Sequence, residues 1–321
     1  MTDTEHPVAT EPLITASRTV RRRRHPGRWI GMAVILVLLA MLAHALVTNT
    51  RLQWNVVTQY LFSAEILNGV VLTLELTAGT MIIGTVLGTV VAVMRMSENR
   101  LLSGVAAVYI WILRSIPLLV QLLFWYNISA VYPNLTLGIP FGPSLVSLNA
   151  NKILPPILAA LIGLGLELSA FVSEIVRSGL SAVPKGQVDA ATALGMRRGT
   201  IFGRIVMPQA IPIIIPPMTN MLVITIKATS LVSVLSLSDL LYTTETIYGR
   251  TYQTIPLLLV ATIWYVFITL VITIAQIPLE RRFGRPGTKT TQPRIATRFT
   301  TSLRSGIAFF VLPDRFRREM S

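Results

Sequence analysis

The chain has 321 residues and a formal net charge of +14, yet only 13% of its residues are charged and 52% are hydrophobic. Soluble domains carry about 25% charged residues, so this composition excludes a disordered chain, a fibrous repeat and an ordinary cytosolic enzyme. The apolar residues come in blocks: 29–50, 76–94, 115–151 and 251–279 contain no Asp, Glu, Lys or Arg. Uncharged apolar stretches of about 18 residues or more read as membrane-spanning helices. The chain is all-α in expectation, and it crosses a membrane several times.

Six spans are predicted in chain order. The first, 29–47, follows the arginine run 21–24. It resembles a signal peptide in position, but its apolar stretch is longer than the usual h-region and no convincing cleavage site follows; it is read as a retained helix. The second, 66–94, carries Gly84, Gly88 and Ala92 at four-residue spacing, a small-residue face that lets another helix approach closely. The third, 101–126, contains Arg114 and Pro117, and the fourth, 153–171, contains Glu167. The fifth, 210–235, holds Pro212, Pro216, Pro217 and Lys227, and the sixth is 256–278. Prolines inside spans imply kinks or breaks, tolerated where neighbours or a cavity satisfy the freed carbonyls.

Charge placement orients these spans. Six Lys and Arg fall in the first 28 residues, two at Arg95 and Arg100, five between Arg177 and Arg204, and ten from Arg281 onward. With both termini inside and external loops near 48–65, 127–152 and 236–255, 23 basic residues lie inside and only Arg51, Lys152 and Arg250 outside. That is the bias of the positive-inside rule. The basic run is therefore a topology anchor in contact with anionic lipid rather than a nucleic-acid site.

Chemistry-bearing motifs are scarce. Cysteine is absent, which removes disulfides, thiolate metal sites and a cysteine nucleophile. His6, His25 and His44 are scattered, so no histidine metal cluster forms locally. There is neither a phosphate-cradling Gly-rich loop ending in Gly-Lys-Ser/Thr nor a His-Glu-x-x-His signature. No catalytic residue and no metal site is expected, and any ATP hydrolysis must come from another chain.

The segment 173–208 is polar for this chain and cytoplasmic by its charge. Pro184 suits the opening of a helix, 187–194 are good helix formers, and Gly195 suits a left-handed closing position. Thr200 then caps a second short helix that Pro208 ends. Two short helices at an angle make a rigid knob for a partner to grip; a plain cytoplasmic loop fits the same pattern.

At these residues a resemblance becomes specific. Asp189-Ala190-Ala191, three residues, Gly195, nine residues, Ile205, two residues and Pro208 resemble the EAA loop of bacterial ABC importer permeases, with Asp189 for the family's Glu and Met207 for its Leu. The stretch from Arg114 to Gln121 (Arg-Ser-Ile-Pro-Leu-Leu-Val-Gln) resembles the Arg-Gly-Thr-Pro-Leu-Leu-Val-Gln of the polar amino acid subfamily. So do Glu174-Ile175-Val176-Arg177-Ser178-Gly179-Leu180, Val183-Pro184-Lys185-Gly186-Gln187, Pro208-Gln209-Ala210 and Lys227-Ala228-Thr229-Ser230-Leu231. Ala228 stands where that pattern has Asp.

The resemblance implies a domain plan and a complex. Residues 1–28 are a basic cytoplasmic tail, 29–47 an extra helix, 64–280 a type-1 permease domain of five helices, and 281–321 a basic cytoplasmic tail. The protein is a multi-pass component of the bacterial inner membrane. A second permease chain, identical or related, completes the pathway. Two ATPases, which hold the ATP and Mg, bind the EAA loop through Asp189, Ala190, Ala191, Gly195, Ile205 and Pro208, and an extracytoplasmic binding protein delivers the solute. This chain carries no cofactor of its own.

Two other classes of membrane protein fit the sequence less well. An ion-coupled secondary transporter needs intramembrane acids, which Glu75 and Glu167 are, but often shows internal repeats, and none is visible. An intramembrane enzyme needs an assembled nucleophile, base or metal, and nothing here assembles one. Within the permease reading, Arg114, Glu167 and Lys227 are the candidate pathway residues, because a charge at membrane depth needs a partner or a wet cavity. For Glu167 that partner is Arg114, Lys227 or the cation of a basic solute; otherwise the carboxyl is protonated and inert.

Overall fold

The computed structural model describes residues 26–138, 144–149 and 154–283. The two basic tails, as far as residues 1–25 and 284–321, lie outside the described residues, and so does Lys152. Helix α1 (Pro26–Thr48) belongs to a unit of its own, and the chain from Thr50 onward forms a second.

That unit begins with α2 (Trp54–Leu61) and the long α3 (Ala64–Arg95). Ser63 caps α3, its hydroxyl accepting the Ile66 N–H at 3.4 Å, with Glu65 in the favourable first turn. Next come α4 (Arg100–Ser115), capped by Asn99, then α5 (Leu118–Tyr126) and the single turn α6 (Ile128–Val131). After α6 an antiparallel pair, β1 (Asn134–Gly138) and β2 (Ser144–Asn149), sets Asn134 opposite Asn149. Two more spans follow this hairpin: α7 (Pro156–Ser181), which opens on a Pro pair, and, after the short α8 (Lys185–Ala193) and α9 (Arg198–Ile201), the proline-rich α10 (Met207–Ala228). A π-helical turn over Phe202–Val206 leads into α10 and a 3-10 stretch over Thr229–Leu235 leaves it. The described residues end in α11 (Leu240–Thr251) and α12 (Thr254–Phe283).

Among the described residues, five helical stretches, including α1, are long and apolar enough to cross a membrane, and the α4–α5 pair, bent by 100°, makes a sixth when counted as one broken span. The fold is an all-α polytopic bundle, as expected, with one small hairpin in the loop expected between the third and fourth spans. The alternation of Leu135, Thr136 and Leu137 suits strand pairing.

The bend in the third span has a local cause. Pro117 lacks an N–H, and the preceding Ile116 is extended (φ −92°, ψ 127°), as the pre-proline clash favours. Gln121, one turn into α5 and 4% exposed, repairs the break: its Nε2 donates to the carbonyls of Leu113 (2.9 Å) and Ile116 (3.0 Å).

Small residues seat the helices. A Cβ at Gly84 would lie 2.6 Å from Leu168, and one at Gly88 would lie 2.7 Å from the Ser169 carbonyl and the Val172 side chain. The small-residue face of α3 is thus spent on α7 within this chain. Around it Ala92, Leu168, Val172 and Val176 form one apolar cluster. Gly179 lets α7 touch Ile214 of α10. A second cluster joins α3 to α11 and α12 through Ile66, Val70, Leu240, Leu257 and Val260. There Thr73 accepts the Leu240 N–H at 3.1 Å.

One local expectation is corrected. Pro208 does not end a helix and Thr200 does not cap one: α9 starts after Arg197, which offers no side-chain cap, and Pro208 sits in the first turn of α10. A proline at N1 or N2 costs no hydrogen bond, so it opens the span instead of closing the knob.

Candidate functional site

Between α3, α5, α7 and α10 lies a cavity of about 130 Å³. Its walls are apolar (Leu118, Leu164, Phe171, Met221) apart from Thr80, Thr225 and the half-buried Glu167. The Thr80 hydroxyl is buried with no hydrogen-bond partner among the described residues. Ala228 also lines this cavity. Where the resembling pattern carries Asp, this chain therefore leaves Glu167 as the carboxylate of the lining.

Two wider cavities lie further along α7 toward α8. One, of about 470 Å³, is lined by Arg114, Phe171, Glu174, Arg177, Asn220 and Met221 among others. The other, of about 430 Å³, shares Arg114 and Glu174 and reaches Arg95. Arg177 binds Glu174 at 2.6 Å, one turn apart on α7. The Arg114 guanidinium lies 5.0 Å from the centre of the Phe171 ring, a cation–π distance.

The structure brings Arg114 and Glu167 to neighbouring cavities but forms no ion pair between them. Lys227 is exposed and lines none of the three cavities. Among the described residues, the pairing of Glu167 with Arg114 or Lys227 is therefore not formed. Glu75 is likewise exposed and outside these cavities. Residues that sequence reasoning did not single out are Thr80, Phe171, Met221 and Thr225. The 3-4 spacing of Glu167, Phe171 and Glu174 on one helix was the available signal.

The segment expected to meet the ATPase is built as a capped elbow. Pro184 precedes α8, and Gly195, at φ +73°, closes it, donating to Thr192 O at 2.9 Å while Met196 donates to Ala191 O at 3.2 Å. Asp189, Ala190 and Gly195 are exposed; Ala191, at 3% exposure, is packed inward. Leu194 is 82% exposed. Ile205 lies in the π-helical turn. Gln209 of α10 donates to the Gln187 side chain of α8 and to Ile205 O at 2.8 Å, a direct tie between elbow and span.

Comparison with known proteins gives the class of protein to which this bent span, cavity and elbow belong. The profile of the binding-protein-dependent transport system inner membrane component matches residues 84–285. The chain belongs to this family: it is a membrane-embedded permease subunit of an amino acid ABC importer. It is 42% identical over 278 residues, 84% of either chain, to the arginine transport system permease protein ArgU of Corynebacterium glutamicum. It is 31% identical to the histidine/lysine/arginine/ornithine transport system permease protein HisQ of Escherichia coli, covering 70% of this chain and 96% of that one. The crystal structure of an amino acid ABC transporter with histidines superposes with a TM-score of 0.58 at 31% identity, covering 68% of this chain and 94% of that chain. An inward-facing MetNI methionine transporter, at 19% identity and TM-score 0.51, shares the fold.

Proposed function

We propose that this permease carries polar amino acids, basic ones foremost, past Glu167, working with a second permease chain, two ATPases and an extracytoplasmic binding protein. The observation that carries the solute class is Glu167: a carboxylate in an apolar cavity with no cation paired to it among the described residues. An unpaired carboxylate at membrane depth is costly, and the guanidinium or ammonium of arginine, lysine or ornithine supplies the missing charge. The names of ArgU and HisQ support the same class.

The ATPases hold ATP and Mg and dock on the elbow around Asp189, Ala190 and Gly195, while Ile205 and Pro208 join it to α10. Their closure pushes α8, and the Gln187–Gln209 tie passes the displacement to α10, rocking the bundle. The protein sits in the bacterial inner membrane with both termini cytoplasmic.

The test is competition uptake in the reconstituted complex. Glu167→Gln lowers arginine and lysine uptake by roughly tenfold, the effect of losing about 1.4 kcal/mol of binding, and spares neutral amino acids. If uptake of every amino acid is unchanged in Glu167→Gln, the carboxylate is structural and the basic preference falls.

A further inference from the structure

We propose that Phe171, together with Met221, is the barrier that closes the Glu167 cavity toward the coupling elbow, and that Arg114 latches it shut. The proposal rests on the reading of that cavity as part of the solute path. Helix α7 presents Leu164, Glu167, Phe171, Glu174 and Ser178 to the cavities, a 3-4-3-4 spacing that is one helix face. At the α-helical rise these positions span about 21 Å. Of the cavities of about 130 and 470 Å³, Leu164 and Glu167 line only the small one and Glu174 and Ser178 only the wide one; Phe171 lines both. Helix α10 divides at the same level: Thr225 and Ala228 belong to the small cavity, Pro217 and Asn220 to the wide one, and Met221 to both.

Two helices on separate stretches of chain thus each place a bulky apolar side chain at the boundary of the two cavities. A hydrated, charged solute cannot pass an apolar constriction without displacing it, and both side chains have rotatable bonds with which to swing aside. Arg114 approaches the Phe171 ring from the wide-cavity side, at 5.0 Å. It sits at the end of α4, immediately before the 100° bend, so a shift of α4 against α7 releases the ring. Arg114 is in this view a positioning residue that acts on the barrier.

The absence of cysteine from the chain makes the test direct. Thr80→Cys puts a thiol in the small cavity and Ser178→Cys puts one in the wide cavity. The assembled importer, in inside-out membrane vesicles without ATP, is treated with a membrane-impermeant cationic methanethiosulfonate. With Phe171 intact, Cys at 80 reacts slowly and Cys at 178 quickly. Phe171→Ala, or the milder Phe171→Leu and Met221→Ala, speeds reaction at 80 by about tenfold, a change of about 1.4 kcal/mol in the opening equilibrium, without changing the rate at 178. Arg114→Gln speeds it as well, and Arg114→Lys does so less. Equal rates at 80 with and without the Phe171 ring overturn the barrier; a cysteine at 178 that does not react overturns the placing of the wide cavity on the cytoplasmic side. These labelling rates do not depend on which solute Glu167 selects, so the barrier and the solute class fail separately.

Discussion

Asp239 shows how one buried side chain ties stability to pH. It lies between the fifth and sixth spans, is 0% exposed and caps α11, accepting from the N–H groups of Tyr242 (2.9 Å) and Leu241 (3.3 Å). Burial raises its carboxyl to about 6, chiefly by desolvation, although the two backbone donors pull the other way. An acid whose folded pKa is raised holds its proton more tightly when folded. Its contribution is therefore fully present below the unfolded value of 3.8 and is lost as pH rises through about 6. Thermal unfolding of the detergent-solubilised protein should show a stability decrease across that window, and Asp239→Asn, which keeps a capping oxygen, should flatten it. An unchanged pH profile in Asp239→Asn would assign the effect to other groups. Gln121 is a second case at this scale. It was legible only as one letter of a motif, because its task, feeding carbonyls freed by Pro117, exists only once the chain is bent.

At the scale of elements, close approach and backbone handedness give separate expectations. Gly88 faces the Ser169 carbonyl and Val172 at 2.7 Å from where a Cβ would stand, whereas a Cβ at Gly104 would meet nothing within 4 Å. Gly88→Ala should cost about 1–3 kcal/mol through forced separation of α3 and α7, read as a lowered melting temperature; Gly104→Ala should not. Equal melting temperatures would remove Gly88 from the contact. Gly195 is different: its surroundings are open, and its φ of +73° is what restricts it. Gly195→Ala should lose about 1–2 kcal/mol of local stability from the left-handed backbone, while Asn is tolerated. Gly195→Trp should insert and fold no worse than Gly195→Ala, yet lose ATPase co-purification and uptake. Normal transport in Gly195→Trp would place the ATPase contact elsewhere. Of the small residues expected to face the ATPase, Ala191 is occupied by the chain's own packing. Spacing alone did not separate Ala190 from Ala191, because the side that α8 buries depends on where the elbow folds.

For the whole molecule, energy supply is the discriminating property. In the proposed complex, partner ATPases push on the elbow that the Gln187–Gln209 contact ties to a span. Uptake by the complex should collapse when ATP is depleted and persist when an uncoupler abolishes the proton gradient; the opposite pattern would favour an ion-coupled carrier.

The sequence by itself determined the class of protein, the positions of the spans and the left-handed glycine at the elbow. The class rests on the resemblance of its motifs to a known family, whereas the spans and the glycine follow from local quantities: the transfer energy of apolar stretches and the sterics of single residues. It placed Glu167 within a span but left its partner open among three cations. Only the tertiary structure showed that Lys227 turns away, that Arg114 stacks on Phe171, and that Glu167 shares a small cavity with Thr80 and Thr225. Those facts depend on how four helices rotate about their axes as they pack, and that rotation is set by long-range contacts such as Gly84 on Leu168 and Gly179 on Ile214. Helical periodicity groups the residues of one face, but it does not say which neighbour that face will meet.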